Sequence, residues 1–315
     1  MSYQLPIENL LEIVRRTHGN DITLQSYDVA PLEGGYVASS VTKIDLHLTD
    51  SPIQTLSFVQ KHTTAAEVRT MKRLAEDIDL VEIPASVDWH VDTHAAEQNG
   101  ANWFFIPFYE GSLLDFDDDL PHAVIRALAR VHAYYANRWR EFDWLPHVDT
   151  EFITGLLQYA LSSLHENTAR LPHTLFTEVA EILQNTMDSP VLGQVYERLP
   201  KTLTHGDVHA GNVFRLDDDN HILFDWGNAR IAPAMLDLAN MVEMGSEAWN
   251  TYCTAWEAAS GETLDPESAQ LGYDWATALV NIQYLPFAIT HLDPESVQHM
   301  AGKIQKSLTI LQHRL

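Results

Sequence analysis

Asp207, Asn212 and Asp225 stand close together in the stretch LTHGDVHAGNVFRLDDDNHILFDWG, residues 203–227. Two carboxylates and an amide oxygen are hard oxygen donors, the kind that suits Mg²⁺. One carboxylate beyond the metal's needs leaves a base. Phosphoryl transfer from ATP requires those parts: metal on the phosphates, and a carboxylate that accepts or orients the proton of an acceptor hydroxyl. The stretch reads as a short strand, a polar loop, a strand, a turn over Asp217–Asn220 and a last strand ending in Asp225. The apolar runs Val213-Phe214 and Ile222-Leu223-Phe224 on either side of the acidic turn are a hairpin signal. The hairpin is what would bring the three side chains to adjoining loop and strand ends.

The elements upstream must supply a grip on the donor. A helix is expected over Pro6–Thr17, with Leu10, Leu11 and Val14 on one stripe and Gly19 as its stop. Residues 23–48 turn to a β pattern broken by Leu32-Glu33-Gly34-Gly35-Tyr36. Gly34 and Gly35 are either a common hairpin turn or a loop whose N–H groups close over a phosphate. Leu56–Lys61 alternates and reads as a strand ending in lysine, and Thr63 or Thr64 then caps a helix to about Glu76. Taken singly, Lys61 is a solvated strand end and Glu67 serves the helix dipole. Taken together with the downstream stretch, Lys61 grips phosphates and Glu67 holds it in place.

Residues 83–91 read as a strand or loop-strand, 94–99 as a polar turn, and Asn102–Tyr109 as an aromatic strand. Pattern and composition change at Pro107-Phe108-Tyr109-Glu110-Gly111, so a boundary is expected there: a sheet-rich domain over 1–107 and a mostly helical one over 108–315. The Asp115–Asp119 cluster reads as a solvated loop, with a rim for a cationic substrate as the alternative. Helices are expected over Pro121–Trp139, Glu151–Thr168, Phe176–Thr186 and Pro190–Leu199, then from about Met235 and through 247–315. His132, on an apolar face, reads as a satisfied core histidine. The aromatics from Trp249 to Phe287, Tyr284 included, read as core.

Composition narrows the partners. The 315-residue chain is 45% hydrophobic and 20% charged, ordinary for a folded soluble protein of about two domains. A formal charge of −25 argues against nucleic acid and against an anionic membrane surface. It permits a cationic substrate without demanding one, and an acidic solvated surface is the simpler explanation. One cysteine, Cys253, excludes internal disulfides and a cysteine-rich zinc site and fits a reducing compartment, so a cytoplasmic location is expected. The N-terminal residues do not read as a signal peptide, and no run is as long as a membrane span.

His205-Gly206-Asp207-Val208-His209-Ala210-Gly211-Asn212, then Phe224-Asp225-Trp226 and Pro233–Ala239, resembles the aminoglycoside phosphotransferase and choline kinase-like family of small-molecule kinases. The order of the parts agrees over nearly the whole chain, including Leu128–His132. The resemblance implies an α+β, bilobal protein-kinase-like fold: an N-lobe antiparallel sheet with a helix, and a larger helical C-lobe. It implies ATP and Mg²⁺ as cofactors and a small-molecule hydroxyl as acceptor. It makes Asp207 the catalytic carboxylate and Asn212 and Asp225 the metal ligands. Lys61 becomes the phosphate lysine with Glu67 as its partner, and the backbone of Phe108 and Tyr109 meets adenine. His205 and Asp237 become structural braces of the loop. His209 stands where protein kinases carry a lysine, and its role is either phosphate contact or packing. There is no room for a protein-kinase activation segment between Asp225 and Asp237, and no full G-x-G-x-x-G, which leaves ATP against GTP open. The acceptor and the oligomeric state are not legible. Two other readings compete: a nucleotide-binding pseudokinase, against which all four of Lys61, Asp207, Asn212 and Asp225 are present, and a hydrolase using His205-x-Asp207-x-His209 as metal ligands, which leaves Asn212 without a task.

Overall fold

The computed structural model describes residues 7–19, 21–32, 40–49, 51–92 and 101–315. The chain forms two compact units, Met1–Asp118 with Ala210–Asn228, and Asp119–His209 with Ala229–Leu315. The sequence places the boundary after residue 107; the compact units instead divide at Asp118, and the hairpin segment 210–228 joins the first unit. Non-local strand pairing causes this, and local pattern does not report it.

In the first unit, α1 (Ile7–His18) precedes β1 (Thr23–Leu32), β2 (Ser40–Thr49) and β3 (Thr55–Thr63). After α2 (Ala65–Asp77) come β4 (Asp88–His90), β5 (Asn102–Pro107) and the short β6 (Ser112–Leu113). Five of the strands make an antiparallel sheet in the order β1-β2-β3-β5-β4. Side chains alternate across a sheet, and here the alternation assigns two jobs. Ile44, Leu46, Leu48, Phe58, Trp103 and Phe105 join Leu10, Leu11 and Val14 of α1 in one apolar core. The intervening Val41, Val59, Lys61, Phe104 and Ile106 line a cavity instead. α1 stops where expected, at Gly19, whose φ of 126° suits glycine. The strand expected over 83–91 is confined to Asp88–His90. Gly34 and Gly35, and the turn over 94–99, lie outside the described residues.

The second unit begins with α3 (His122–Tyr135), α4 (Thr150–Glu166), α5 (His173–Asp188), α6 (Val191–Arg198) and β7 (Thr202–Thr204). The chain then gives β8 (Val213–Arg215) and β9 (His221–Leu223) to the first unit, where they pair with β6 in the order β6-β8-β9. Back in the second unit, β10 (Arg230–Ala232) pairs antiparallel with β7, and α7 (Glu247–Ser260), α8 (Pro266–His291) and α9 (Pro294–Arg314) complete the chain. The helical unit is built round Val131, Tyr135, Leu157, Val179, Trp275, Leu279, Ile282 and Ile304, all buried. Part of the acidic composition has a structural use. Asp149, Asp265 and Asp293 cap the starts of α4, α8 and α9 by accepting backbone N–H bonds, where a negative charge also meets the positive helix end. α3 is shorter than expected, giving way to a 3₁₀ turn at Trp139–Glu141. The helix expected from Met235 is likewise a 3₁₀ turn, Ala234–Asp237, because Asn240 at φ 74° and Gly245 at φ 85° break any longer helix. No helix among the described residues is long and apolar enough to cross a membrane.

Candidate active site

The sheet face opposite α1 carries the cavity, about 680 Å³, with Lys61, Glu67, Asn212 and Asp225 on its wall. Strand alternation points Lys61 into it, opposite Phe104 in register. Thr64 caps α2 by accepting the Glu67 N–H at 3.2 Å. Glu67 thus sits in the first helical turn, but its carboxylate is spent on side chains: Lys61 Nζ donates to it at 2.6 Å and the Thr63 hydroxyl at 2.5 Å. Lys61 Nζ also donates to Asp225 Oδ1 at 2.8 Å. Glu67 is only 1% exposed, so its charge needs the lysine. Burial alone would pull the Lys61 ammonium down, but the Glu67 and Asp225 carboxylates outweigh it and hold its pKa above the ordinary 10.5.

The acidic hairpin folds because Asp217 Oδ1 accepts the backbone N–H groups of Asp219 and Asn220, both at 2.9 Å, an Asx turn. Phe224 N–H donates to the Asn212 carbonyl at 2.9 Å, tying the two ends of the segment. The last strand ends at Leu223 rather than at Asp225. Asp225 itself takes φ 63°, the left-handed region, which Asp and Asn tolerate better than most residues. The turn replaces the expected strand end and sets the carboxylate against Lys61. Phe108 and Tyr109 line the same cavity. The Phe108 N–H, however, donates to the Ser57 carbonyl at 2.9 Å, so the sheet already uses that donor. Its ring lies 4.4 Å from the Lys43 ammonium, and the Tyr109 ring packs edge-on against Phe224.

The second unit holds the His205-Gly206-Asp207 loop, which follows β7. Asp237 has no exposed side-chain surface and accepts three donors. Its Oδ2 takes His205 N–H at 2.7 Å and His132 Nε2 at 3.0 Å, and its Oδ1 takes Gly206 N–H at 2.8 Å. A carboxylate only accepts, so Nε2 is the protonated nitrogen facing it. Burial would raise the Asp237 pKa; the His132 bond and the charges of His132 and His205, with the Gly206 N–H, carry it below the ordinary 3.8. His132 is the satisfied core histidine that the sequence suggests, its Nδ1 lying 2.9 Å from the Tyr252 hydroxyl. The Asp207 N–H donates to His205 Nδ1 at 3.3 Å. His209 is half-buried in the same loop.

Three residues of this loop's setting escaped the sequence reading. Arg230, 5% exposed, donates Nη2 to the Gly206 carbonyl at 3.2 Å and Nη1 to Gln283 Oε1 at 2.9 Å. Gln283 Nε2 reaches the same carbonyl at 3.4 Å. Gly206, at φ 78°, is therefore held by Asp237 on its N–H and by Arg230 and Gln283 on its C=O. Tyr284 corrects an expectation: its hydroxyl donates to Asp207 Oδ1 rather than lying in the core. Phe287, also expected in the core, is 53% exposed. Aromatic spacing on a helix does not distinguish a core stripe from one that faces a site.

Residues 36–288 match the model of the phosphotransferase enzyme family. The chain belongs to that family and is a small-molecule kinase. No curated protein matches it at a significant level. Several solved structures share its fold. The GDP complex of aminoglycoside 2'-phosphotransferase-IIIa aligns at 16% identity and a TM-score of 0.52, covering 99% of this chain and 100% of that one. Macrolide 2'-phosphotransferase from Brachybacterium faecium aligns at 18% identity and a TM-score of 0.50, over 94% and 97% of the two chains. An aminoglycoside phosphotransferase from Alicyclobacillus acidocaldarius aligns at 14% identity and 0.51, over 100% and 97%. The α+β, kinase-like fold expected from the sequence is thus the fold of the chain. Among the described residues no group of three or more His, Cys, Asp or Glu gathers as a metal cluster.

Proposed function

We propose that the protein transfers the γ-phosphate of ATP, with Mg²⁺, to a hydroxyl of a small molecule such as an aminoglycoside or amino-alcohol. The observation that carries this is Lys61 held between Glu67 at 2.6 Å and Asp225 at 2.8 Å on the wall of one cavity. A lysine fixed by two carboxylates stays charged and aimed, ready to bind phosphate oxygens. The cavity has the volume of a small-molecule site and mostly apolar walls, which suits a nucleobase. Asp225 and Asn212 line it with a carboxylate and an amide oxygen, a donor set that fits Mg²⁺ and would hold it. Bound there, the ion would neutralise charge on the phosphates.

Asp207 acts as the base: it orients the acceptor hydroxyl and takes its proton. His205 and Asp237 brace the loop that carries it. Phe108 and Tyr109 form one side of the base pocket; with the Phe108 N–H engaged by Ser57, Tyr109 to Gly111 is the segment left to meet the base. The net charge of −25 favours an amine-bearing acceptor, and a GDP and kanamycin complex is among the structures of this fold. Because that structure holds a guanine nucleotide, both ATP and GTP belong in the test. The experiment is a screen of nucleoside diphosphate release against amino-alcohols, aminoglycosides and sugars, with Asp207→Ala as the blank. Turnover above that blank for at least one acceptor is expected; none with any acceptor, beside tight nucleotide binding, would favour a binding module instead.

A further inference from the structure

The Tyr284 hydroxyl donates to Asp207 Oδ1, the carboxylate to which the proposed function assigns the acceptor's proton. A phenol and an alcohol present the same group to that oxygen: one O–H donor. We infer that Tyr284 is a guard residue, occupying the proton-accepting oxygen of Asp207 until an acceptor hydroxyl displaces it, and so keeping water from being used as the acceptor. This inference rests on the reading of Asp207 as base.

The setting favours a displaceable occupant over a fixed brace. The loop is already braced without Tyr284: Asp237 holds the His205 and Gly206 N–H groups, and Arg230 and Gln283 hold the Gly206 carbonyl. Tyr284 is half-buried, and one helical turn further along α8 stands Phe287, 53% exposed, on the same face. A ring leaving Asp207 therefore has an open aromatic surface to lie along. Pro286 lies inside α8 two residues on, and having no N–H it leaves the Ile282 carbonyl without its helical donor. The turn that carries Tyr284 is thus less tightly bonded than the rest of the helix.

Tethering makes the guard selective. The phenol is delivered by its own helix at high effective concentration, so a competitor must bring binding energy from elsewhere. An acceptor molecule has other groups to bind with, whereas a water molecule has none. In the reaction so prevented, a water oxygen bonds the terminal phosphorus of the nucleoside triphosphate and the bond to the nucleoside diphosphate oxygen breaks. The water proton passes to Asp207.

The test is release of inorganic phosphate from ATP, and from GTP, by the full chain with Mg²⁺ and no acceptor. Tyr284→Phe and Tyr284→Leu should each raise the wild-type rate roughly tenfold, the worth of one hydrogen bond to a charged group. Tyr284→Phe combined with Asp207→Ala should return it to background. Thermal midpoint and nucleotide affinity serve as fold checks, and Tyr284→Phe keeps the ring should the leucine variant unfold. A rate in Tyr284→Phe that is unchanged or lower overturns the inference and makes Tyr284 a positioning residue. Phosphate found on Tyr284 itself by mass spectrometry also overturns it, since the phenol would then be a substrate. The reading of Asp207 fails separately, if Asp207→Ala alone still phosphorylates an acceptor.

Discussion

His132 and Asp237 meet at 3.0 Å with both side chains completely buried, although 105 residues separate them in sequence. The same carboxylate accepts the His205 and Gly206 N–H groups, so one side chain joins α3 to the loop that presents Asp207. Asp237→Ala should destabilise the second unit by about 3–5 kcal/mol, because it strands three buried donors at once. Urea unfolding followed by tryptophan fluorescence would measure it. Asp237→Asn should cost less, since it keeps an acceptor.

The same carboxylate sets an acid limit. Its folded pKa lies below the ordinary 3.8, so its contribution is complete above that value and is lost as pH falls through the lowered folded value. Wild-type stability should therefore fall more steeply on acidification than that of Asp237→Asn, read as the midpoint of urea unfolding against pH between neutral and strongly acidic buffers.

Lys61 sets the opposite limit in the first unit. Its pKa is raised above 10.5, so its contribution is complete below the unfolded value and is lost as pH rises through the raised folded one. Lys61→Met should remove this alkaline limb and destabilise the unit by about 3 kcal/mol by leaving Glu67 buried without its cation. Adding Glu67→Met should recover part of that loss, since the stranded charge goes too. Nucleotide affinity, measured by calorimetry, should stay weak in both.

Asp207 and Asp225 should separate cleanly by assay. Asp207→Ala is expected to abolish transfer and leave Mg-nucleotide affinity within about twofold, a change worth less than one hydrogen bond. Asp225→Asn keeps a residue that tolerates φ 63° and should lose the Mg²⁺ dependence of nucleotide binding. Asp225→Ala adds backbone strain of about 1 kcal/mol to that loss. Equilibrium dialysis with and without Mg²⁺ distinguishes them; unchanged Mg²⁺ dependence in Asp225→Asn would remove that residue as a ligand.

Gly111 takes φ 156°, and a Cβ there would collide with the Arg215 carbonyl oxygen and lie 2.8 Å from Phe214 Cε1. Backbone does not yield as a side-chain end does. Gly111→Ala should cost about 2 kcal/mol or more and lower nucleotide affinity as well, since Gly111 and Phe214 both line the cavity. Differential scanning calorimetry and a nucleotide titration would show the two effects together.

Much of the candidate site was legible because it is local. The strand that carries Lys61, the cap at Thr64 and a glutamate in the first turn of α2 follow from local spacing, and the downstream stretch suggests that Lys61 and Glu67 pair. The hairpin over Asp217–Asn220 announces itself by its apolar flanks and acidic turn. Tyr284, Arg230 and Gln283 were not legible. Their partners, Asp207 and Gly206, lie far away in the chain, and nothing in helical periodicity says whether a stripe faces core, loop or solvent. The engagement of the Phe108 N–H was not legible for a similar reason: whether a strand-end donor is available depends on whether the neighbouring strand reaches that far, and β3 does through Ser57.

By itself, then, the sequence supplied the candidate side chains for phosphoryl transfer, the α+β class and most helix and strand positions, because spacing, caps and side-chain alternation act over a few residues. Only the tertiary structure decided that residues 210–228 pack with the sheet unit, that Lys61 is shared between Glu67 and Asp225, and that a tyrosine hydroxyl sits on Asp207. Those contacts depend on strand pairing and on buried charge finding its partner across long chain separations, and such pairings are selected by the free energy of the whole fold.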